Sequence, residues 1–416
     1  MGGNCMKRKL ILVTDNFPYG YGEASFILPE LEHLCQYYEV TIVSKSKSLL
    51  RTTELPPEIK VCRCSGNLTA FEKIRYCLPA FFNAEFYWEL KKAIKRHKVK
   101  LGLRVILSSY AGAGKLYGYL KKLTENENKN QPFLFYSYWY NFSVYSLIRL
   151  KQNYFTQAKV VTRIHGYDLY DERAPLGYHI FRRKTDPEVD KFFFISKMGR
   201  EYYLKKLQIA PNDKYMVSYL GTSGNGFRKH VRTEKLRIVS CSNLIPLKRV
   251  EGIIDALALI DDFHVEWVHF GDGVLMDELK KHAAICFRYK RNITYEFKGL
   301  LENEQIKKYY ASGTSDCFVM LSETEGVPVS IMEAFAFGIP VIATSVGGVP
   351  EQVNTDNGIL LSENPTNKEV AEAIRTIHGM DDAAYENLCF AAFKTWQEKF
   401  NVEKNGIEFV KMLREL

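Results

Sequence analysis

Two glutamates, Glu325 and Glu333, stand eight positions apart in "SETEGVPVSIMEAFAFGIPVIATSVGGVPE" (322–351), a stretch otherwise dominated by apolar residues. A core segment keeps carboxylates only where they meet a partner. "DCFVMLS" reads as a strand, "ETEG" as the loop at its carboxyl end, and Val329 to Phe337 as a helix with Pro328 at its first position. Gly326 lets backbone approach a ligand closely. The unpaired N–H groups of the first helical turn, around Gly326, Val327 and Pro328, form a site for phosphate. Glu325 lies beside that anion. Glu333 lies inside the helix, where a carboxylate accepts hydrogen bonds from vicinal hydroxyls such as those of a ribose. Phosphate, ribose and a further hydroxylated group on one strand–loop–helix unit amount to a nucleotide sugar. An exposed amphipathic helix would explain both glutamates without a ligand, but Ala334, Phe335, Ala336 and Phe337 leave little polar face.

Such a unit needs a sheet to carry it. Strand-like runs alternate with segments of helical length through "KLILVTD", "YEVTIVS", "IKVCRC", "FLFYSYW", "AKVVTRI", "KFFFIS" and "KYMVSYL". The alternation restarts after residue 235 with "LRIVSCS", "FHVEWVHFG", "ITYEFKG", "DCFVMLS" and "IPVIATS". This order predicts parallel sheets covered on both faces. Between the two series lies "GTSGNGFRKHVRTEK" (221–235), which has the composition of a linker. The expected organisation is two doubly wound α/β domains with a cleft between them, followed by a purely helical last fifty residues. In open parallel sheets, ligands sit beyond the carboxyl ends of the strands, so chemistry is sought directly after each run.

Composition narrows the class. The 416 residues suffice for two domains, and 46% hydrophobic with 25% charged residues is that of a globular protein. No run approaches the ~18 apolar residues of a spanning helix, and the four apolar residues after "MGGNCMKRK" are too few for a signal peptide. Nine cysteines without repeated spacing point to reduced thiols and a cytoplasmic location. Residues 1–230 hold 37 Lys and Arg against 20 Asp and Glu, whereas the remainder holds 20 against 28. The basic first half suits an anionic partner. Its "ELKKAIKRHKVK" (89–100), read as a helix with "FFNAEFYW" upstream, is suited to the inner face of the plasma membrane or is a solvated face. Nucleic acid is not expected, because no aromatic–basic recognition motif accompanies the charge.

With these motifs in view, the sequence resembles the family 4 glycosyltransferases of the bacterial polysaccharide-biosynthesis type, retaining enzymes of GT-B fold. The E-x7-E signature is Glu325 to Glu333, within "S-x-x-E-G-x-P-x-x-x-x-E-A". "FPYGYGEASFILPEL" (17–31), "TRIHGYDLY" (162–170), "SCSNLIPLKRVEGIIDAL" (240–257), "FGDGVLMDELK" (270–280), "FKGLLENEQIKKYY" (297–310) and "GIPVIATSVGGVPE" follow the family's order. The resemblance implies two Rossmann-like domains facing across a cleft. The first (1–221) would bind the acceptor, the second (222–398) the nucleotide sugar, and a C-terminal helix (399–416) would cross back to the first.

By the same resemblance, Glu333 would hold the ribose and Glu325 the transferred sugar. Backbone after Gly326 would meet the distal phosphate, and Lys248 would neutralise the diphosphate. His165 would contact the sugar near the reacting carbon, Gly22 would bring first-domain backbone to the phosphates, and Leu301 would lie beside the base. The implied reaction moves a hexosyl group from a UDP- or GDP-sugar to a glycan or lipid-linked glycan, with retention and without a cofactor. No two aspartates stand two residues apart, so the D-x-D metal clamp of the other large transferase fold is missing, and no metal is expected.

One position departs from the family. Asn243 stands where an arginine usually spans both phosphates, and losing a charge-assisted contact costs about 1.5–3 kcal/mol. Arg249 is the neighbouring candidate to replace it. The departure keeps two alternatives open, a catalytically impaired GT-B homologue that binds a nucleotide or partner, and a GT-B sugar-nucleotide epimerase. Two further motifs are read as structural. "YAGAGKLYG" (110–118) lacks the glycine placement and the Ser/Thr of a phosphate loop, and Asp168 and Asp171 read as surface turn residues.

Overall fold

The computed structural model describes residues 7–224, 226–227 and 231–416, with the side chains of Tyr21 and Gly22 left aside. The apolar runs become thirteen strands among these residues: β1 (Arg8–Thr14), β2 (Tyr38–Ser44), β3 (Lys60–Arg63), β4 (Leu134–Ser137), β5 (Lys159–Ile164), β6 (Lys191–Phe194) and β7 (Tyr215–Val217) in one sheet, and β8 (Lys235–Cys241), β9 (His264–Phe270), β10 (Ile293–Phe297), β11 (Cys317–Met320), β12 (Val341–Thr344) and β13 (Gly358–Leu361) in another. All pairings are parallel, in the orders β3-β2-β1-β4-β5-β6-β7 and β10-β9-β8-β11-β12-β13. Both sheets therefore reverse direction beside their first strand, at β1/β4 and at β8/β11, and these switch points are where doubly wound sheets bind ligands.

β1 shows why its sheet is buried on both sides. Leu10 and Leu12 join one apolar cluster with Ile27, Leu31 and Tyr136, while Ile11 and Val13 join another with Leu116, Val144 and Leu147. Strands covered on both faces read as continuous apolar runs, as these do. The second sheet packs Ile238, Trp267 and Val319 against helical Ile253, Leu257, Ile374 and Ile377.

The chain divides into two compact units, one of Met1–Ile195, Gly199–Ser218 and Gly406–Leu416, the other of Ser196–Met198 and Tyr219–Asn405. The C-terminal helix (Val402–Arg414) thus begins in the second unit and ends in the first, where Phe409, Val410 and Leu413 enter the core. A buried Arg163 anchors it. Its guanidinium lies 4.4 Å from the Phe409 ring, pairs with Glu30 at 2.8 Å and donates to Ser218 O at 2.8 Å. Burial of such a charge is tolerable only with this degree of pairing.

Three features differ from the sequence reading. β13, "GILL", is too short and too close to the helical end of the chain to stand out as a strand. The basic segment 89–100 is not one helix: the first ends at Lys95 and the next starts at Val99, with His97 between them at φ 55°. Helix Tyr21–Tyr37 begins early enough to place Gly22 in its first turn rather than in a loop. "YAGAGKLYG" lies inside helix Val99–Leu123, where a Cβ on Gly114 would fall 2.8 Å from the Tyr76 ring, so that glycine serves close packing.

Candidate active site

The second unit builds its candidate site at the β8/β11 switch point. The loop after β8 forms a short 3-10 turn, Pro246–Lys248, and the loop after β11 carries Glu325. Lys248 Nζ donates to Glu325 Oε1 at 2.5 Å across that crevice. Both side chains are largely shielded, with relative exposures of 23% and 12%.

Neighbouring strand ends hold these two loops in place. A Cβ on Gly271 would fall 1.9 Å from Ser242 O and one on Gly273 2.4 Å from Leu244 O, so the "GDG" turn after β9 needs both glycines to lie against the Lys248 loop. After β12, Gly347 adopts φ +51°, and a Cβ there would sit 2.0 Å from Glu325 O. Gly348 N donates to Gly326 O at 2.6 Å. The "VGGVPE" segment is therefore a backbone clamp on the Glu325–Gly326 loop, which explains its glycines by contact.

Glu333 lies one level deeper. Helix Val329–Ala336 starts after Pro328, which is its N-cap rather than its first helical residue and makes no side-chain cap. Without such a cap the first N–H groups remain free for a ligand. The helix ends in a Schellman arrangement, with Gly338 at φ +70°, Gly338 N donating to Phe335 O and Ile339 N to Ala334 O. Of this helix, Ile331 through Ala336 are buried, Glu333 included. Asn303 Nδ2 donates to Glu333 Oε1 at 2.5 Å. Burial raises the Glu333 carboxyl above its ordinary range, and Asn303 and then Lys307 oppose that shift. Glu333 in turn helps burial push the Cys241 thiol, at the carboxyl end of β8, up to about 12, while Lys248 opposes it.

The remaining predicted residues of this unit are placed less tightly. Val327 and Pro328 are buried, and Gly326 is half-buried. Leu301 is half-buried in the loop after β10, two residues before Asn303. Asn243 is exposed in the loop after β8. Arg249, the candidate substitute for an arginine there, is held elsewhere: its Nη1 donates to Glu363 O at 2.9 Å and its Nη2 to Asn364 Oδ1 at 2.8 Å.

In the first unit, described by itself, His165 follows β5 and is buried. Its ring lies 4.8 Å from that of Tyr138 and 4.4 Å from that of Trp139, and neither ring nitrogen has a hydrogen-bond partner. Burial, then the Arg163 charge, holds its pKa well below the usual histidine range, so the imidazole is neutral. A buried ring with two unsatisfied nitrogens calls for a partner outside the protein, water or a ligand. Asp168 is not a surface turn residue. It is 3% exposed, and its carboxylate accepts from His165 N and Tyr140 N, each at 2.7 Å. Burial raises it to about 7, against the opposing Arg182 and these backbone donors. Asp171, by contrast, sits in a 3-10 turn and pairs with Lys206. The surroundings of Gly22 lie outside the described residues.

Sequence reasoning passed over three residues that complete these arrangements, Asn303, Trp139 and Glu23, and misread a fourth, Asp168. Glu23 accepts from the backbone N–H groups of Asp15, Asn16 and Phe17 and from the Trp139 indole, and so joins the loop after β1 to the ring tilted against His165. Its one sequence signal was a lone acid in the "GYGEAS" segment.

A crevice at the switch point with a lysine, two carboxylates and uncapped helical N–H groups suits a phosphorylated, hydroxyl-rich ligand. Comparison with known proteins agrees: residues 225–386 match the family described as glycosyl transferases group 1. This segment is a group 1 glycosyl transferase domain. The same residues supply Lys248, Glu325 and Glu333. Over 174 residues the chain is 27% identical to N-acetyl-alpha-D-glucosaminyl L-malate synthase of Bacillus anthracis, covering 41% of this chain and 43% of that protein. Over 248 residues it is 27% identical to the amylovoran biosynthesis glycosyltransferase AmsK of Erwinia amylovora, covering 56% and 59%. The chain thus spans about half the length of such curated relatives. Over the whole chain the likeness is one of fold. The crystal structure of Anabaena Alr3699/HepE in complex with UDP superposes with a TM-score of 0.67 over 98% of this chain and 100% of that one, at 15% identity. The fold is GT-B.

Proposed function

We propose that this chain is a retaining glycosyltransferase of the family 4 type, moving a hexosyl group from a nucleoside-diphosphate sugar to a glycan or lipid-linked glycan in cell-surface polysaccharide synthesis, without a metal. The observation that carries the proposal is the Lys248–Glu325 contact at the β8/β11 crevice, with buried Glu333 on the helix that follows. The kinship with AmsK supports the polysaccharide context, and the UDP complex of a protein of this fold supports the donor class.

In this reading Lys248 turns from Glu325 alone to share its three donors between Glu325 and the diphosphate. The N–H groups of the first helical turn, from Val329 onward, meet the distal phosphate, and the ribose hydroxyls take the place of Asn303 on Glu333. Glu325 orients hydroxyls of the sugar, and the first unit contributes the acceptor site and the neutral ring of His165. The bond from the anomeric carbon to the diphosphate oxygen breaks. The acceptor oxygen bonds to that carbon on the same face and passes its proton to the departing phosphate oxygen. Charge developing on that phosphate is the largest target for stabilisation.

Calorimetry of UDP, GDP and their hexose conjugates, on chelator-treated protein, tests the donor. One nucleotide is expected to bind in the micromolar range, and absence of binding by all of them overturns the reading. Asn243→Arg should tighten that nucleotide about tenfold, the low end of a charge-assisted contact. An unchanged affinity would mean that position 243 does not face the diphosphate.

One observation favours a second reading, a homologue that binds a nucleotide without transfer: Arg249, the candidate substitute for an arginine at position 243, is tied to Glu363 and Asn364. Nucleotide binding with no glycosylated product across acceptors, in wild type and in Asn243→Arg, would select it. A free epimerised sugar nucleotide would select the epimerase.

Peripheral binding to an anionic membrane completes the proposal. Among the described residues no helix is long and apolar enough to cross a membrane. Residues 71–94 of the first unit instead expose Phe71 (74%), Ile74 (65%) and Phe82 (86%) alongside Lys73, Arg75 and Lys91. Apolar side chains ringed by cations match an interfacial surface. Vesicles containing phosphatidylglycerol should sediment the protein and phosphatidylcholine vesicles should not, with Phe82→Glu weakening the former. Equal recovery with both lipids would rule the surface out.

A further inference from the structure

A third cluster lies outside the crevice, on the outer helices of the second unit. Helix Met276–Cys286 ends in "HAAIC", and the four-residue spacing of His282 and Cys286 sets both on one face. Asp255 faces them from helix Val250–Leu257. His282 Nε2 and Asp255 Oδ1 are 2.6 Å apart, and Cys286 Sγ is 3.7 Å from His282 Nε2. One donor atom from each of the three lies within 4.8 Å of the others. We infer that Asp255, His282 and Cys286 form a binding site for a zinc-like divalent cation, with a fourth position open to water.

Coordination geometry favours this. A tetrahedral zinc with bonds of about 2.0–2.3 Å holds its nitrogen and sulfur ligands about 3.5 Å apart, and its nitrogen and oxygen ligands about 3.3 Å apart. The sulfur–nitrogen separation here is already close to that. The histidine–carboxylate contact, now a hydrogen bond, has only to open by less than 1 Å to admit the ion. The opposite carboxylate oxygen, Asp255 Oδ2, accepts from Asn367 Nδ2 at 3.4 Å, the outer-shell support that orients a ligating carboxylate. A mixed nitrogen, sulfur and oxygen set selects a borderline-soft ion and disfavours magnesium and calcium, which take oxygen ligands. A histidine–aspartate ion pair alone would have no use for the thiol.

The ion would tie together two helices that share the core through Ile253, Ile254, Leu279 and Ala283. It is separate from the donor crevice, and the inference stands whether or not the chain is a transferase. Its consequence for the crevice is positional: helix Val250–Leu257 starts two residues after Lys248.

Cobalt(II), whose spectrum reports its ligands, is the probe. Full-length protein, reduced and stripped with chelator, should bind one equivalent of cobalt(II) with tetrahedral visible bands and a sulfur-to-cobalt charge-transfer band. Zinc should displace it stoichiometrically. Cys286→Ser should remove the charge-transfer band, His282→Ala should abolish saturable binding, and Asn367→Ala should weaken binding at least tenfold with the spectrum unchanged. The other cysteines provide the opposing outcome: no one-to-one binding, or a charge-transfer band that survives Cys286→Ser, overturns the site. Circular dichroism of each variant shows whether the helices remain, so loss of binding is read only on folded protein.

Discussion

Lys248→Ala should lower kcat by about 10²–10³-fold while changing KM for the donor only a few-fold. The ground-state diphosphate has other partners in the proposed complex, namely the N–H groups of the first helical turn from Val329 onward and solvent. Charge grows on the departing phosphate only as the bond to the sugar breaks, and Lys248 is the cation at the switch-point crevice placed to meet it. An interaction that strengthens in the transition state appears in kcat rather than in KM. Removing the lysine also leaves Glu325 without its 2.5 Å partner, so part of any loss could come from a displaced loop. The double variant Lys248→Ala with Glu325→Gln separates the two contributions: if the loop were the cause, neutralising Glu325 would restore turnover. Lys248→Arg should recover some activity because charge is retained. A kcat for Lys248→Ala within threefold of wild type would remove this lysine from the chemistry.

The sequence made the fold and half of each site legible, for identifiable reasons. Parallel strands buried on both faces leave continuous apolar runs such as "LILV" and "FVML", and these mark a doubly wound sheet without ambiguity. The strand-end rule then points to Glu325 and the family resemblance to Lys248, 77 residues apart in the chain and in contact in space. What stayed hidden depends on contacts that no local pattern announces. Asp168, read as a turn residue in "YDLYDE", has its carboxylate spent on the backbone N–H groups of His165 and Tyr140. Asn303 is unremarkable in "LENEQIKKYY" and acquires meaning only because Glu333 lies across from it. Gly326 and Gly22 read as places where backbone approaches a ligand. In Gly271 and Gly347 the reason is both a positive φ and an oxygen of the neighbouring loop less than about 2 Å from where a Cβ would stand. The His282–Cys286 spacing was visible in principle, but a four-residue pair becomes a ligand set only when Asp255 is seen on the next helix.

Glu333→Ala should weaken nucleotide binding about 100-fold, and Glu333→Gln about tenfold. A carboxylate accepting two ribose hydroxyls makes two charge-assisted hydrogen bonds, each contributing about 1.5–3 kcal/mol, and the buried setting leaves no water to replace them. Glutamine keeps one acceptor and loses the charge. The Gln variant separates loss of binding from loss of folding. Burial raises the carboxyl of Glu333 in the folded state above its unfolded value. A group with that sign contributes stability that is present at low pH and is lost as pH rises from the ordinary glutamate range through the folded value. The Gln variant should therefore match wild type in acid and equal or exceed its melting temperature at neutral pH and above. Nucleotide affinity of the wild type should move the opposite way, strengthening as the carboxylate ionises, while that of Glu333→Gln should lack this pH dependence. A glutamate retained for packing would show the stability contrast without the affinity contrast. If Glu333→Gln bound nucleotide as tightly as wild type across the pH range, the ribose assignment would fail even with the fold intact.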